Sequence, residues 1–283
     1  VAGFEDFETN QVTKMFLLGD SGSGKTGAIM SLAAAGYNIR IMDLDNGVEI
    51  LNGYLKDPES IYRKAEPSGL WTAEQAGSVI KRVRYETLTD PMTNRGGTLV
   101  PRQATVWQRA IKLLENWKTP TDDFGPVSKW TPQEVLVIDS MTFLSKAAFN
   151  FQLGMNARLG QQPHQSDYGN AQRSIESLIQ MLYDTGINCN VIFNCHIKLF
   201  GEDNGPQRGL PETVGKAISP IIGRYVNSVL LAQTSGIGAN EKHKIRTVST
   251  ATLELKTPAP LKVKPEYPLE TGLAQYFADL RRG

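Results

Sequence analysis

Met15–Ala35 reads MFLLGDSGSGKTGAIMSLAAA: a short apolar run, a glycine-rich turn, then an Ala/Leu-rich segment closed by Gly36. The octet Gly19-Asp20-Ser21-Gly22-Ser23-Gly24-Lys25-Thr26 fits the phosphate-binding pattern G-x-x-x-x-G-K-[ST] at every fixed position. Glycines let the backbone curl until successive N–H groups point inward at phosphate oxygens. The lysine reaches β/γ-phosphates, and the threonine hydroxyl is of the right type to ligate Mg2+. The helix that follows turns its positive end toward the same anion. The spacing predicts a strand over Met15–Leu18 and a helix over Lys25–Ala35, which is the context the motif needs. A surface turn with a chance lysine would lack it. Gly19, Asp20, Ser21, Gly22, Ser23, Gly24, Lys25, Thr26 and Gly27 are therefore candidate nucleotide-phosphate contacts, and Thr26 is a candidate Mg2+ ligand.

The chain has 283 residues, 40% hydrophobic and 21% charged, enough for a sizeable packed core. Its formal net charge of +1 announces no nucleic-acid binder, so any such contact needs local basic loops. Cys189 and Cys195 lie close together on what reads as one buried strand, which suggests reduced thiols. No apolar run reaches the ~18 residues that a membrane span requires. The start, VAGFEDFETN, is acidic and lacks a signal-peptide pattern, so a soluble cytoplasmic protein without membrane contact is expected.

After the first helix, Tyr37–Asp45 reads as a second strand ending in Asp43 and Asp45, with the turn Asn46-Gly47 and then Glu49. Acids at the end of a parallel strand stand where ligands bind in open α/β sheets. Either one of them orients or deprotonates the water that attacks a γ-phosphate, or they are turn-forming acids in solvent. Residues 54–134 are the least regular. Lys81-Arg82-Val83-Arg84 is a basic cluster, 86–102 reads as an exposed loop, and Ala104–Trp117 as a helix. Glu134–Asp139, EVLVID, is an apolar strand ending in one acid. Together with the phosphate loop this makes Asp139 a candidate magnesium-site acid.

Met141–Leu159 reads as a helix with Phe143, Leu144, Ala147, Ala148, Phe151 and Met155 inward. Gly160–Asn170 reads as a polar loop. There Arg158, His164 and Tyr168 either meet a phosphodiester or a base, or belong to an ordinary surface loop. Gln172–Asp184 is a further helix. Asn190–His196 is a buried strand whose polar tip, Asn194 and His196, can touch a γ-phosphate. The glycine-rich 201–216 loop holds Arg208 and Lys216, and Arg224 follows. Then come a strand at Ser228–Gln233, two more at His243–Ser249 and Ala251–Lys256 read as an antiparallel pair, an extended Pro-rich segment and a last helix, Gly272–Leu280.

In this order the elements resemble a RecA-type ATPase core, and more closely the small phage-encoded RecA-like ATPases of single-strand annealing and recombination. The residues that carry the likeness are GDSGSGKT, IMDLDNG, VLVIDSMT, the Asp167-Tyr168-Gly169 turn, NCHIK and VGKAISPIIGRYVNSVL, spread over roughly residues 12–257. The resemblance implies an α/β fold with a mostly parallel central sheet flanked by helices and antiparallel strands near the C-terminus. It also implies a single domain over 1–283, with an irregular insertion at about 85–132 and a tail at 258–283. It implies ATP and Mg2+ as cofactors, Lys25, Asp45, Glu49, Asp139, His196 and Arg224 in catalysis, and His196 at the sensor position. Arg224, Lys216 or Lys256 would reach a neighbouring subunit's nucleotide. Arg158, His164, Tyr168, Arg208 and Lys216 would face DNA from the 160–170 and 201–216 loops. The implied partners are single-stranded DNA, further copies of the chain in a ring or filament, and a single-stranded-DNA-binding protein. Such enzymes usually carry glutamate where this chain has Asp45, so either hydrolysis is slow or Glu49 substitutes. A helicase or translocase, and a nucleotide-dependent regulator without DNA, are the alternatives.

Overall fold

The computed structural model describes residues 12–49, 51, 79, 81–201, 207–236 and 242–282. Residues 1–11, most of the 54–80 stretch, the middle of the 201–216 loop, and residues 237–241 lie outside the described residues. A sheet of eight strands organises the molecule. In chain order the elements are β1 (Lys14–Leu18), α1 (Lys25–Ala28), α2 (Met30–Ala34), β2 (Asn38–Asp43), β3 (Val83–Thr87), β4 (Met92–Arg95), β5 (Thr98–Pro101), α3 (Val106–Glu115), β6 (Trp117–Lys118), β7 (Asp123–Gly125), β8 (Glu134–Asp139), α4 (Met141–Met155), α5 (Gln165–Tyr183), β9 (Asn190–Cys195), β10 (Ile197–Phe200), β11 (Arg208–Pro211), β12 (Ser228–Ser235), β13 (Lys242–Arg246), β14 (Glu266–Pro268) and α6 (Leu269–Arg281).

The main sheet runs β14-β13-β12-β1-β9-β8-β2-β3. Every pairing from β12 to β3 is parallel, while β13 and β14 close one edge antiparallel. The fold is thus α/β with a mostly parallel sheet and antiparallel strands near the C-terminus. Period-two alternation sends Phe16 and Leu18 of β1 to one buried face and Met15 and Leu17 to the other. The first face packs on α3, α4 and α5, the second on α1, α2 and α6. Both faces are covered, so β1, β8 and β9 are continuous apolar runs rather than alternating ones.

Several expectations are corrected. The 85–132 stretch is not irregular. Val83–Thr87 is a parallel edge strand on β2, and 92–101 forms an antiparallel hairpin, β4–β5. Trp117 is fully buried with Trp130 at 5.7 Å, and the Arg40 guanidinium lies 3.9 Å from the Phe124 ring centre, tying this region to the sheet. The Lys81–Arg84 cluster is partly built into the structure, with Arg82 donating to the Gly36 carbonyl and Arg84 to the Val83 carbonyl. On α4, Phe143 and Met155 face outward, 38% and 68% exposed, because the buried stripe runs through Leu144, Ala147 and Ala148. The predicted 160–170 loop is half helix. Asp167 accepts the His164 N–H in a capping box and starts α5 at Gln165.

Arg158 is therefore not a free cation: both its Nε and its Nη2 donate to the buried carboxylate of Asp167. The 201–216 segment is anchored by the hairpin β10–β11. Ala251–Lys256 is not a strand; it makes two isolated bridges, and β13 pairs with β12 and β14 instead. The last helix starts earlier, at Leu269. Among the described residues no helix is long and apolar enough to cross a membrane. Cys189 and Cys195 are buried and unbridged, and burial pushes both thiols up to about 12.

Candidate functional site

The phosphate-loop octet sits between β1 and α1, as its pattern requires. Two glycines are dictated by geometry. Gly24 takes φ +89 at the N-cap of α1, and a Cβ there would lie 2.3 Å from Leu269 Cδ2. Gly19 passes so close beneath the loop that a Cβ would meet Ser23 Oγ at 2.4 Å and the Ala232 carbonyl at 2.5 Å. Lys25 is buried inside the curl, where Nζ donates to the Gly19 and Asp20 carbonyls at 2.7 and 2.8 Å. Burial lowers its pKa, opposed by Asp139, Cys195, Asp45 and Asp20. Asp20, Ser21 and Gly22 are exposed at the rim, and Gly27 is half-buried in α1.

Sheet order brings the remaining groups to this loop. Asp139 ends β8, with one strand, β9, between it and β1. Thr26 Oγ1 donates to Asp139 Oδ2 at 2.7 Å. Burial raises the Asp139 carboxyl to about 6, with the Thr26 hydroxyl and Lys25 pulling the other way. Asn194 stands opposite it on β9, close enough for its side chain to lower the Asp139 pKa, although neither its Oδ1 nor its Nδ2 meets strict hydrogen-bond geometry. The buried hydroxyls of Ser23 and Ser140 are also unpartnered. Buried polar atoms are nearly always paired, so this cluster has the character of a site that a polar ligand completes. One carboxylate and one hydroxyl are hard oxygen donors suited to Mg2+, which keeps waters and phosphate oxygens for its other positions. The donor set fits magnesium bound together with a triphosphate.

Asp43 and Asp45 part company at the end of β2. Asp43 is buried, accepts Thr87 Oγ1 at 3.0 Å and the Gly47 N–H at 3.0 Å, and serves the turn. Burial raises its pKa. Asp45 lies beyond the strand, accepts the same N–H, and places Oδ2 4.0 Å from His196 Nε2. The turn itself abuts the Thr26 hydroxyl: a Cβ on Gly47 would fall 3.7 Å from Thr26 Oγ1. His196 follows β9. Its backbone N–H donates to Thr142 Oγ1, and its ring meets Phe143 edge-on at 6.4 Å. Burial and then Lys25 lower its pKa. Lys25, Thr26, Asp139, Asp45 and His196 thus converge from β1, β2, β8 and β9 onto one end of the sheet. Glu49 is exposed, one turn further on.

The other candidates lie apart. Arg224 and Lys256 line a cavity of about 260 Å3 with Arg208, whose guanidinium is 2.5 Å from Glu254 Oε2. Lys216 and His164 are exposed. Tyr168 stacks on Phe149 at 4.5 Å and remains 38% exposed. Two features escape a sequence reading. Asn194 was legible as a polar residue in an apolar strand, but its place beside Asp139 was not. Leu269 carries no local signal at all, because its contact with Gly24 spans most of the chain. A larger cavity, about 540 Å3, adjoins the loop at Asp20, Ser21 and Ser23 and is walled by Ile197, Leu231 and Leu253.

No protein-family profile matches the chain, and no curated protein sequence does. Solved structures with a similar chain path include a KaiC-like protein of Pyrococcus horikoshii, at 11% identity and TM-score 0.42, covering 93% of this chain and 87% of that one. The RadB recombinase shows 14% identity and TM-score 0.44, with 92% and 89% covered. FlaH, a flagellar accessory protein of Methanocaldococcus jannaschii, shows 10% and 0.40, with 94% and 90% covered. Likeness at this level is a matter of chain path only; the chemistry rests on the residues above.

Proposed function

We propose that the protein is a magnesium-dependent ATPase of RecA-like type. The observation that carries this is the 2.7 Å hydrogen bond from Thr26, the last residue of the phosphate loop, to Asp139, with Lys25 buried in the curl beside them. Mg2+, when bound, would supply the positive charge that neutralises charge developing on the phosphate oxygens. Thr26 and Asp139 would hold it, and the loop N–H groups and Lys25 would hold the phosphates. The nucleoside would extend into the 540 Å3 cavity that opens beside Asp20 and Ser21. Asp45 and His196, 4.0 Å apart, would orient the attacking water. Because burial lowers the His196 pKa, the ring is neutral at pH 7 and can accept a proton or a hydrogen bond from that water.

The test is Lys25→Ala. It should abolish Mg·ATP binding measured with a fluorescent analogue, and retained hydrolysis would show that the site lies elsewhere. His196→Ala should slow turnover about 10- to 100-fold while nucleotide affinity stays within about threefold.

Single-stranded DNA is the partner this reading favours, with the chain assembled into an oligomer. Its support is the set of exposed groups His164, Tyr168, Arg208 and Lys216 on the connections that follow the site strands. Arg224 and Lys256 are the cations available to a neighbouring copy.

A further inference from the structure

The β4–β5 hairpin, residues 92–101, has no place in the RecA-like plan that the sequence suggests, and the nucleotide site does not use it. Its two strands pair Met92 with Pro101, Thr93 with Val100, Asn94 with Leu99 and Arg95 with Thr98. Residues directly opposite share a face. One face, bearing Arg95 and Val100, sits on the α4–α5 turn: a Cβ on Gly160, at φ +82, would lie 3.2 Å from Arg95 Cβ and 3.8 Å from Val100 Cγ1. The other face carries Met92, 58% exposed, and Leu99, 70% exposed.

The hairpin is braced rather than loose. Gly96 and Gly97 both take positive φ at its tip, Asn94 Oδ1 accepts the Gly97 N–H at 2.9 Å, and the Arg102 N–H closes its base on the Pro91 carbonyl at 2.7 Å.

Charge says what this surface suits. Asp and Glu make up 29 of 283 residues, about one in ten, yet none occurs from 91 to 114 or from 140 to 166. These two stretches build the hairpin and the turn beneath it. Of the acids at their borders, Glu115 is exposed at the far end of α3, while Asp90, Asp139 and Asp167 are engaged by the structure. Asp90 accepts the Thr105 N–H and hydroxyl at the start of α3, and Asp167 is fully buried against Arg158. Arg95, Arg102 and His164 remain exposed, as does Arg173 on α5.

We infer that the β4–β5 hairpin, which bears Met92 and Leu99 on its exposed face, Arg95 on the seated face with Nη2 donating to the Arg102 carbonyl at 3.3 Å, and an exposed Arg102 at its base, is a docking surface for single-stranded DNA. Unstacked bases offer flat apolar faces to Met92 and Leu99, while the guanidinium groups track the phosphates. Tyr168, on the same turn-and-helix unit, adds an aromatic face. This rests on the reading of the protein as an ATPase that binds single-stranded DNA, and names the element that would make the contact. The 15 residues of α4 join this unit to Asp139, a distance of about 22 Å along a helix.

The test is fluorescence anisotropy of a labelled oligothymidylate with the full chain, Mg2+ and a slowly hydrolysed ATP analogue. R95E/R102E should weaken binding at least about tenfold and reduce the salt slope by about 2. M92S/L99S should weaken binding severalfold and leave that slope unchanged. Both variants should keep wild-type nucleotide affinity and melting temperature. Wild-type affinity in both, alongside weakened binding in R208A/K216A, would overturn the hairpin assignment and leave the DNA reading standing. Failure of the wild-type chain to bind the oligomer at low salt would overturn both, and equal affinity for blunt duplex would overturn the single-strand assignment.

Discussion

Asp139 is asked to be two things. Only 2% of its surface is exposed, and burial lifts its carboxyl to about 6, yet as the magnesium ligand proposed above it would have to be ionised. Between the ordinary carboxylate range near 4 and the raised value near 6, the folded ligand-free chain holds a proton that the unfolded chain has lost. Its stability should therefore fall as pH rises across that window and level off above it. The opposite holds for the loaded site, because proton and metal compete for the same oxygens. Mg·nucleotide affinity should weaken about tenfold per unit below pH 6 and be flat from 7 to 8, read by nucleotide-analogue fluorescence across pH 5–8. Asp139→Asn keeps an acceptor for Thr26 and removes the buried charge. It should stabilise the ligand-free protein by on the order of 1–3 kcal/mol at pH 7 while lowering Mg2+-dependent nucleotide affinity at least about 100-fold. Unchanged metal dependence in that variant would remove Asp139 from the site.

At the scale of elements, the helix α6 reaches back across the whole chain to hold the loop. Leu269 lies against Gly24, the Ala274 N–H donates to Ser31 Oγ at 3.2 Å, and the fully buried Tyr276 hydroxyl stands 2.8 and 3.0 Å from the Ser228 and Thr257 hydroxyls. Leu269→Ala should cost about 2–4 kcal/mol in denaturant melts and loosen nucleotide binding, since the cavity opens directly beneath the N-cap of α1. Tyr276→Phe should cost about 1–2 kcal/mol and leave nucleotide affinity alone. The contrast separates support of the loop from support of the fold.

These long-range contacts also mark where a sequence reading stops. The strands β1, β8 and β9 were legible because each is a short apolar run ending at a chemically telling residue: Gly19, Asp139 and His196. The hairpin β4–β5 was hidden because its Thr, Asn, Arg and Gly residues have the composition of a loop, and only pairing across the two strands makes it regular. The start of α5 was hidden because its cap is a buried ion pair with Arg158, nine positions upstream. Ala251–Lys256 alternates like a strand, but the edge beside β13 was already taken by β14. At the site, residue types gave Lys25, Thr26 and Asp139. The separation of Asp43, which serves the turn, from Asp45, which faces His196, needed the exact end of β2.

Over the whole molecule, the strand order decides how binding and stability are linked. Thr26 follows β1 and Asp139 ends β8, and β9 with Asn194 beside Asp139 lies between them. A magnesium triphosphate held by both would tie three adjacent strands together at their ends and satisfy polar atoms that the ligand-free fold leaves bare. Unfolding scatters these groups, so only the native state can bind it. At a nucleotide concentration about 100 times Kd, the linkage amounts to about 2.7 kcal/mol. For a chain of this size that corresponds to a rise of about 4–10 °C in Tm. The rise should appear in scanning calorimetry with Mg·ATP analogue and disappear when EDTA replaces Mg2+. It should be absent in Lys25→Ala with either. A shift of equal size in EDTA would mean that the nucleotide is gripped without the Thr26–Asp139 pair, and the strand-tying account would then be wrong even if binding is real.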